Sequence, residues 1–194
     1  MKKQPAYLQN LLLRISETDD MYAYEKLYYT FYTSLYHFAF SIIRSKQEAE
    51  EIVSDVFIKV WQARSALSEV SNISVYLYTG VRNRAIDYLN AQRRHAIVYF
   101  SEEDWGDTLI ELKNPSDYCI STDLMKKINA AVNQLPPRCK VIFRLVREEG
   151  LTYKQVAAIM RLSPLTVRNQ LAIAVRKIGE MLPEYIYEGP GGTR

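Results

Sequence analysis

The stretch from residue 135 to 177 constrains the fold of this chain more than any other. It contains a glycine break at Gly150 followed by two capped helix starts. Thr152 and Gln155 have the spacing of a capping box. In this motif the threonine hydroxyl accepts a hydrogen bond from the Gln155 N–H, and the Gln155 side chain reaches back to the Thr152 N–H. Ser163 before Pro164 supplies a hydroxyl cap and a residue suited to the first helical position. The pattern predicts two short helices joined by a tight turn, a helix-turn-helix.

The second helix of this motif has a polar outward face that suits the DNA major groove. Arginine pairs with guanine O6 and N7, asparagine pairs with adenine N6 and N7, and a capped helix N-terminus leaves backbone N–H groups for phosphate. The residues predicted to face outward are Leu165, Thr166, Arg168, Asn169, Ala172 and Arg176. The turn position usually taken by glycine is Arg161, which we expect to cost about 1 kcal/mol in a left-handed conformation. An ordinary pair of core helices is the alternative.

Charge is unevenly distributed along the 194 residues. Residues 125–194 carry twelve basic side chains against five acidic ones, which fits a DNA-binding unit. Residues 96–124 carry seven acidic side chains against one lysine, lose the helical period and contain turn residues. This stretch predicts a linker that is flexible when free.

The composition excludes several classes of protein. Cys119 and Cys139 have no CxxC spacing and lie far from both histidines, so we expect two thiols, no metal and no cofactor. There is no nucleophile–base constellation and no glycine-rich phosphate loop, which argues against an enzyme and a small-molecule substrate. The longest apolar runs fall short of a signal peptide or a membrane span, so a cytoplasmic protein is expected.

Apolar periodicity predicts three helices in the first half. Residues 21–44 follow a cap at Asp19 or Asp20, residues 45–61 begin with a cap at Ser45, and a third helix covers residues 74–94. The predicted apolar stripe of the first helix consists of Tyr24, Leu27, Phe31, Leu35, Phe38 and Ile42. That of the second consists of Ala49, Ile52, Val53, Val56, Phe57, Val60 and Trp61. The second helix exposes Asp55 beyond its first turn, where either a basic partner or plain solvation would explain it. The third presents Asn83, Asp87, Asn90 and Arg94 at helical spacing, flanked by Arg82, Arg84 and Arg93, with Tyr76 and Tyr78 near its start. Such a face suits a nucleic-acid strand, and a charged surface helix is the alternative.

The predicted fold class is all-α, with two small helical domains joined by a flexible acidic linker. The first domain covers residues 1–95, the linker 96–121 and the second domain 122–183, which contains the helix-turn-helix. A short N-terminal segment precedes the first helix, a polar loop covers 63–72, and a disordered tail covers 184–194.

Four stretches of the chain, taken in order, resemble a known family. They are AEEIVSDVFIKVW and SVYLYTGVRNRAIDYL in the first half, and LPPRCKVIFRLVREEGLTYKQVAAIM and SPLTVRNQLAIAVRKI in the second. The last two alone also resemble response-regulator DNA-binding domains. Their order, their spacing and the acidic segment between the halves resemble a bacterial sigma factor of the sigma-70 class, in the compact extracytoplasmic-function (ECF) group. The resemblance covers residues 20–94 and 122–182.

This resemblance implies core RNA polymerase as a partner, bound through the coiled coil of its largest subunit and through its flap region. The helix over 48–61 would dock on the coiled coil, which makes Asp55, Phe57 and Trp61 candidate contacts. The acidic linker would thread toward the active centre and the RNA exit path, unless it serves only solubility. An anti-sigma factor is a further implied partner.

The resemblance also implies promoter DNA as a partner, both as duplex and as a melted strand. The helix over 74–94 would recognise and melt the minus-ten element, with the loop over 66–72 capturing a flipped base. The candidate strand contacts are Tyr76, Asn83, Arg84, Asp87, Asn90 and Arg94, with Tyr76 standing where the family often has tryptophan. The last helix would read the minus-35 duplex through Ser163, Thr166, Arg168, Asn169, Ala172, Arg176 and Lys177. Arg168 and Asn169 are the expected base readers. Ala172 stands in place of a larger polar residue, which implies narrower direct readout of the bases.

Two other functions are compatible with the sequence. A stand-alone helix-turn-helix regulator would bind duplex DNA tightly without polymerase, but it would leave the helix over 74–94 without a role. A helical adaptor that binds only proteins predicts that Arg168→Ala and Asn169→Ala have no effect at any promoter.

Overall fold

The computed structural model describes residues 5–95 and 122–182, with side chains described at 5–92 and 126–182. Every regular element in these ranges is a helix, which confirms the predicted all-α class. The α-helices are α1 (Ala6–Thr18), α2 (Met21–Ile43), α3 (Lys46–Gln62), α4 (Ile73–His95), α5 (Thr122–Asn133), α6 (Pro137–Arg147), α7 (Tyr153–Met160) and α8 (Pro164–Met181). A 3-10 helix, Arg64–Glu69, lies between α3 and α4. The predicted acidic linker and tail lie outside the described residues.

The described residues form two compact units, which we treat separately. The first contains α1 to α4 together with residues 154–162, and the second contains α5, α6 and α8. Residues 154–162 were predicted to belong to the C-terminal domain. The predicted domain boundaries stay a prediction.

Side-chain caps fix the starts of three helices in the first unit. Asp20 accepts a hydrogen bond from the Ala23 N–H at 3.0 Å and begins α2, as one of the two predicted caps. Ser45 begins α3 as predicted. The cap of α4 is Asn72, whose Oδ1 accepts from the Val75 N–H at 2.9 Å, slightly upstream of the predicted start. A cap of this kind contributes roughly 1 kcal/mol.

The core of the first unit follows the predicted apolar stripes. α2 buries Leu27, Phe31, Leu35 and Phe38, and α3 buries all but the last of its predicted apolar residues. α2, α3 and α4 contact one another, and α1 contacts α2 and the 3-10 helix. Because burial of one large apolar side chain contributes about 1.5–3 kcal/mol, these stripes dominate the stability of the unit.

Two predictions about the first unit are wrong. The N-terminal segment is a helix, α1, which buries Leu8, Leu12 and Ile15 at helical spacing. The predicted polar loop contains the 3-10 helix, whose Leu67 is only 1% exposed. Both segments are held by apolar contacts that are too few to give a long periodic pattern in the sequence.

The tyrosines of α2 form a surface row beside its buried stripe. Tyr28 stacks on Tyr32 with ring centroids 5.0 Å apart, and Tyr32 stacks on Tyr36 at 6.4 Å. Tyr24 lies deeper, where its hydroxyl donates to the Phe57 carbonyl at 2.7 Å. Burial raises the pKa of Tyr24 above its ordinary value, so the hydroxyl keeps its proton for this bond.

The second unit has its own apolar core. It consists of Val132, Leu135, Cys139 and Ala174, with partly buried apolar residues of α5, α6 and α8 around them. Cys139 is a thiol whose Sγ lies 2.9 Å from Gln170 Oε1, and burial raises its pKa. The predicted thiol is therefore confirmed at Cys139, while Cys119 lies outside the described residues. Across the described residues, no helix has the length and hydropathy that crossing a bilayer requires.

Candidate nucleic-acid interface

The first unit contains an open cleft between α3, the turn over residues 70–72 and α4. Its lining includes four residues that were predicted to contact a DNA strand, Tyr76, Asn83, Arg84 and Asp87. It also includes Asp55 of α3, which was predicted to contact polymerase. The structure therefore brings predicted DNA and polymerase contacts into one place.

The close approach of α3 and α4 shapes this cleft. Gly80 of α4 faces Val56 of α3, and a Cβ at Gly80 would lie 3.3 Å from Val56 Cγ1. Any larger residue at position 80 would therefore crowd the helix contact. Asn83 and Asp87 follow Gly80 at helical spacing and lie on the same face of α4. The Asn72 cap determines the residue at which α4 begins.

Only one of the two tyrosines at the start of α4 is available for base stacking. Tyr76 is 42% exposed and lines the cleft. Tyr78 is 2% exposed, and its ring packs edge-to-face on Phe38 at 5.1 Å. The expectation that both rings could face a strand is wrong for Tyr78, because position 78 falls on the buried side of α4.

An ion pair crosses the cleft between α3 and α4. Both Nε and the second terminal nitrogen of Arg84 donate to Asp55 Oδ2, at 2.8 and 2.7 Å. The two side chains are 40% and 31% exposed, so the pair is open to solvent and to competitors. Next to it, an Arg82 terminal nitrogen donates to Asn83 Oδ1 at 3.3 Å. Burial lowers the pKa of Arg82, yet a guanidinium in a protein stays charged.

The remaining predicted strand contacts lie elsewhere. Asn90 is exposed on α4 but is not part of the cleft lining. The side chain of Arg94 lies outside the described residues. The predicted base-capturing loop over 66–72 contributes residues 69–72 to the cleft, and residues 66–68 of the 3-10 helix are not part of its lining.

The three predicted polymerase contacts differ in accessibility. Asp55 is partly exposed, whereas Phe57 is 2% exposed, packs against Tyr24 and Tyr28, and has almost no surface for a partner. Its burial speaks against the predicted direct contact. Trp61 is half-buried, with the Arg64 guanidinium 4.8 Å from its ring.

One residue of α3 was missed by sequence reasoning. Ile58 is 54% exposed among polar neighbours. The signal that could have found it is its position outside the predicted apolar stripe. Single exposed apolar residues are common, so Ile58 is a candidate contact only together with Asp55 and Trp61, which lie three residues before and after it on α3.

The second unit presents the outward face of α8. Ser163 begins this helix as predicted, and its Oγ accepts from the Thr166 N–H at 3.0 Å. Exposed on α8 are Leu165, Arg168, Asn169, Ala172 and Arg176, whereas Thr166 and Lys177 are partly buried. Arg176 lies 3.7 Å from Glu180, one helical turn away on the surface. The exposed arginine and asparagine near the helix N-terminus are suited to base edges.

The turn before α8 has the predicted backbone conformation. Arg161 has φ 52°, in the left-handed region. The Leu162 N–H donates to the Ala157 carbonyl at 2.9 Å, and the Arg161 N–H donates to Ala158 at 3.4 Å. These two bonds are those of a Schellman motif, in which the left-handed residue is usually glycine. The glycine break is also confirmed, since Gly150 has φ 65°.

Comparison with protein families identifies both halves of the chain. Residues 27–95 match the family model for sigma-70 region 2, and residues 125–178 match that for sigma-70 region 4. The first match contains α3, α4 and the cleft. The second covers α6 and α7 and most of α5 and α8, so α7 falls within the region-4 match.

Known relatives agree with these matches. The chain is 27% identical over 130 residues to the ECF RNA polymerase sigma-E factor of Escherichia coli K12, covering 64% of this chain and 68% of the relative. It is 24% identical over 172 residues to the ECF RNA polymerase sigma factor SigX of Bacillus subtilis 168, covering 85% and 88%.

Solved structures share the fold. The sigma factor RpoE from Bartonella quintana, solved in complex with the anti-sigma factor NepR, matches with a TM-score of 0.55 and 20% identity, over 82% of this chain and 96% of that one. CnrH, solved in complex with the cytosolic domain of CnrY, matches with a TM-score of 0.52 and 15% identity, over 92% and 99%. With both regions matched in order and ECF relatives spanning both, the chain belongs to the sigma-70 family of RNA polymerase sigma factors, in its extracytoplasmic-function group.

Proposed function

We propose that the two units of this sigma factor divide promoter recognition between them. The factor binds core RNA polymerase and directs it to promoters; the cleft of the first unit takes the melted minus-ten strand, and α8 reads the minus-35 duplex. One observation carries this proposal most strongly. The cleft gathers Tyr76, Asn83, Arg84 and Asp87 from one helix, so that an aromatic ring, an amide, a cation and a carboxylate face one space.

Each of these groups suits a different part of a single strand. The exposed Tyr76 ring can stack on an extruded base, a contact worth about 1–3 kcal/mol per base. The Asn83 amide can donate to and accept from base edges, while the Asp87 carboxylate accepts only and so favours an amino group. Arg84 supplies positive charge for phosphate. Extruding a base costs a few kcal/mol, which stacking and hydrogen bonding in the cleft would offset.

The outward face of α8 supports duplex reading. Arg168 and Asn169 are exposed within the first two turns, where a helix that enters the major groove contacts bases. The proposed phosphate contacts, or residues that position them, are Ser163, Thr166, Arg176 and Lys177. Ala172 is exposed and small, so it would contribute at most an apolar contact to a thymine methyl.

Polymerase docking is proposed for the outer surface of α3. Asp55 and the partly exposed Trp61 remain candidates, and Ile58 joins them because its exposed apolar side chain lies on the same helix. The proposed occupant is the coiled coil of the largest polymerase subunit, with the flap region contacting the second unit. An anti-sigma factor is a further proposed partner, since the similar fold of RpoE was solved with the anti-sigma factor NepR bound.

The proposal includes no catalysis by this chain. Initiation would use the active centre of the polymerase, and the sigma factor would supply binding energy and base recognition. In the part of the chain that the structure describes, no group of three or more histidine, cysteine or acidic side chains is placed to hold a metal. Action on chromosomal promoters places the protein in the cytoplasm.

Run-off transcription on a pool of genomic fragments tests the proposal, with bacterial core polymerase in the presence and absence of the protein. Discrete new start sites are expected with the wild-type chain. Arg168→Ala and Asn83→Ala should abolish them or reduce them at least tenfold. The matched controls Arg147→Ala and Asn10→Ala change exposed residues of the same types on α6 and α1 and should leave them intact.

The alternative functions predict different outcomes. A stand-alone regulator would bind duplex DNA equally well without core polymerase and would start no transcripts. A protein-binding adaptor would be insensitive to both Arg168→Ala and Asn83→Ala. Either result would overturn the proposed function.

A further inference from the structure

The cleft pairs two residues that were predicted to bind different partners. Asp55 was predicted to contact polymerase and Arg84 to contact DNA, yet each is bonded to the other. They lie on different helices and are separated by 29 residues in the chain. Two Arg84 nitrogens lie within 2.8 Å of one Asp55 oxygen, so the guanidinium is held toward α3.

This pair affects both binding surfaces at once. While Asp55 neutralises Arg84, the cation attracts a phosphate less strongly, and while Arg84 neutralises Asp55, the carboxylate attracts a basic partner less strongly. The contact is short enough to define a geometry, but the two side chains are 40% and 31% exposed. Exposed ion pairs are weak, so a competing charge from a partner can replace either member.

We propose that the Asp55–Arg84 pair couples partner binding on α3 to strand binding in the cleft. A basic side chain of a protein docked on α3 takes Asp55, and Arg84 then turns to the phosphates or bases of the strand. This inference rests on the proposed function and adds to it a route by which polymerase binding increases DNA affinity. Because the two binding events draw on one pair, the coupling is reciprocal: a bound strand that takes Arg84 leaves Asp55 to the protein partner.

The size of the coupling follows from the exposure of the pair. Pairs of this kind change an equilibrium by on the order of two- to fivefold. Arg84 also adds one phosphate contact when it is released. For a single strand, one such contact steepens the dependence of log affinity on log salt by about 0.7.

The first experiment uses the full chain without polymerase, so it does not depend on the sigma function. Binding of a fluorescein-labelled single-stranded 15-mer of randomised sequence is measured by anisotropy across a salt series. Asp55→Asn should raise affinity roughly two- to fivefold and steepen the salt slope by about 0.7. Glu50→Gln removes the same charge from an exposed residue of α3 and should change the slope little. In Asp55→Asn/Arg84→Gln the gain should disappear.

The second experiment measures affinity for core polymerase. Arg84→Gln should raise it roughly two- to fivefold by liberating Asp55, whereas Arg147→Gln, which removes an exposed arginine elsewhere, should not. Thermal melting of each variant checks that it is folded. Equal gains from Asp55→Asn and Glu50→Gln, or a gain that persists in the double variant, would overturn the coupling. Failure of the wild-type chain to bind polymerase would instead overturn the proposed function, with the DNA result still interpretable.

Discussion

Replacing Arg161 with glycine tests the backbone of the turn before α8. Arg161 is exposed and has φ 52°, and it ends α7 through the two hydrogen bonds of a Schellman motif. A residue with a Cβ is strained in this conformation, whereas glycine is not. We therefore expect Arg161→Gly to stabilise the turn, although it removes a whole side chain.

The expected gain is the difference between two effects. Relief of left-handed strain contributes about 1–2 kcal/mol. The greater freedom of glycine in the unfolded chain costs about 0.4–1 kcal/mol. The net result is a stabilisation of roughly 0.5–1 kcal/mol, since the exposed Arg161 side chain adds little packing. Arg161→Ala keeps the Cβ and hence the strain, so it should give no such gain.

Native-state hydrogen exchange is the appropriate assay, because a chain with two units need not unfold in one step. Protection of the Leu162 amide, which is bonded to Ala157, should rise about two- to fivefold in Arg161→Gly and stay unchanged in Arg161→Ala. Equal protection in the glycine and alanine variants would refute the reasoning, because the strain would then contribute nothing. A loss of protection in both Arg161→Gly and Arg161→Ala would show that the arginine side chain holds the turn.

Three further predictions concern the first unit. Asn72→Ala removes the cap of α4 and should cost about 1 kcal/mol in native-state hydrogen exchange of the first unit, while the exposed control Ser71→Ala should cost little. Tyr24→Phe removes the partly buried hydrogen bond from the Tyr24 hydroxyl to the Phe57 carbonyl of α3 and should cost about 0.5–1.5 kcal/mol by the same measurement. Unchanged stability would mean that this bond contributes nothing. Asp20 has a pKa below its ordinary value of 3.8, because a backbone N–H and an arginine stabilise its charge. Its contribution is therefore complete above about pH 4 and is lost as pH falls further. The melting temperature of wild type should exceed that of Asp20→Asn by a constant amount above pH 5 and should fall toward it as the pH drops below 4. A difference that stays constant below pH 4 would contradict this.

Helix starts could be predicted from sequence because a cap is a local interaction. Asp20, Ser45 and Ser163 each accept from a backbone N–H three residues later, so a short window of sequence contains the whole device. The buried stripes of α2 and α3 were predicted for a similar reason, since an apolar face repeats every three to four residues. The left-handed Arg161 followed from the tight spacing of the motif around it.

Burial at single positions was harder to predict. Tyr78 lies next to predicted contact residues and yet is 2% exposed. Phe57, also 2% exposed, is buried as its place in the apolar stripe predicted, so its expected contact with polymerase conflicted with that stripe. Helical periodicity defines a buried face only to within a fraction of a turn, and residues at its margin are decided by what packs against them. For Tyr78 this is Phe38, on a helix some forty residues earlier in the chain. For α1, the buried residues Leu8, Leu12 and Ile15 have helical spacing, but the continuous apolar run over 11–13 hides that spacing in the sequence.

The Asp55–Arg84 contact shows why a candidate site is less predictable than the helices that form it. Each residue was assigned to the polar face of its own helix, and solvation or an external partner explained each equally well. Whether they meet depends on how α3 and α4 are shifted along each other. If the contact between α3 and α4 moved by one residue along either helix, the side chain at that point would lie about 1.5 Å further along the axis and about 100° around it. That is enough to break a 2.8 Å hydrogen bond. That shift is determined by contacts between the helices, among them the approach of Gly80 to Val56, which no single helix encodes. The sequence predicts which groups the cleft can offer a strand, and the packing of α3 on α4 determines which of them already have a partner.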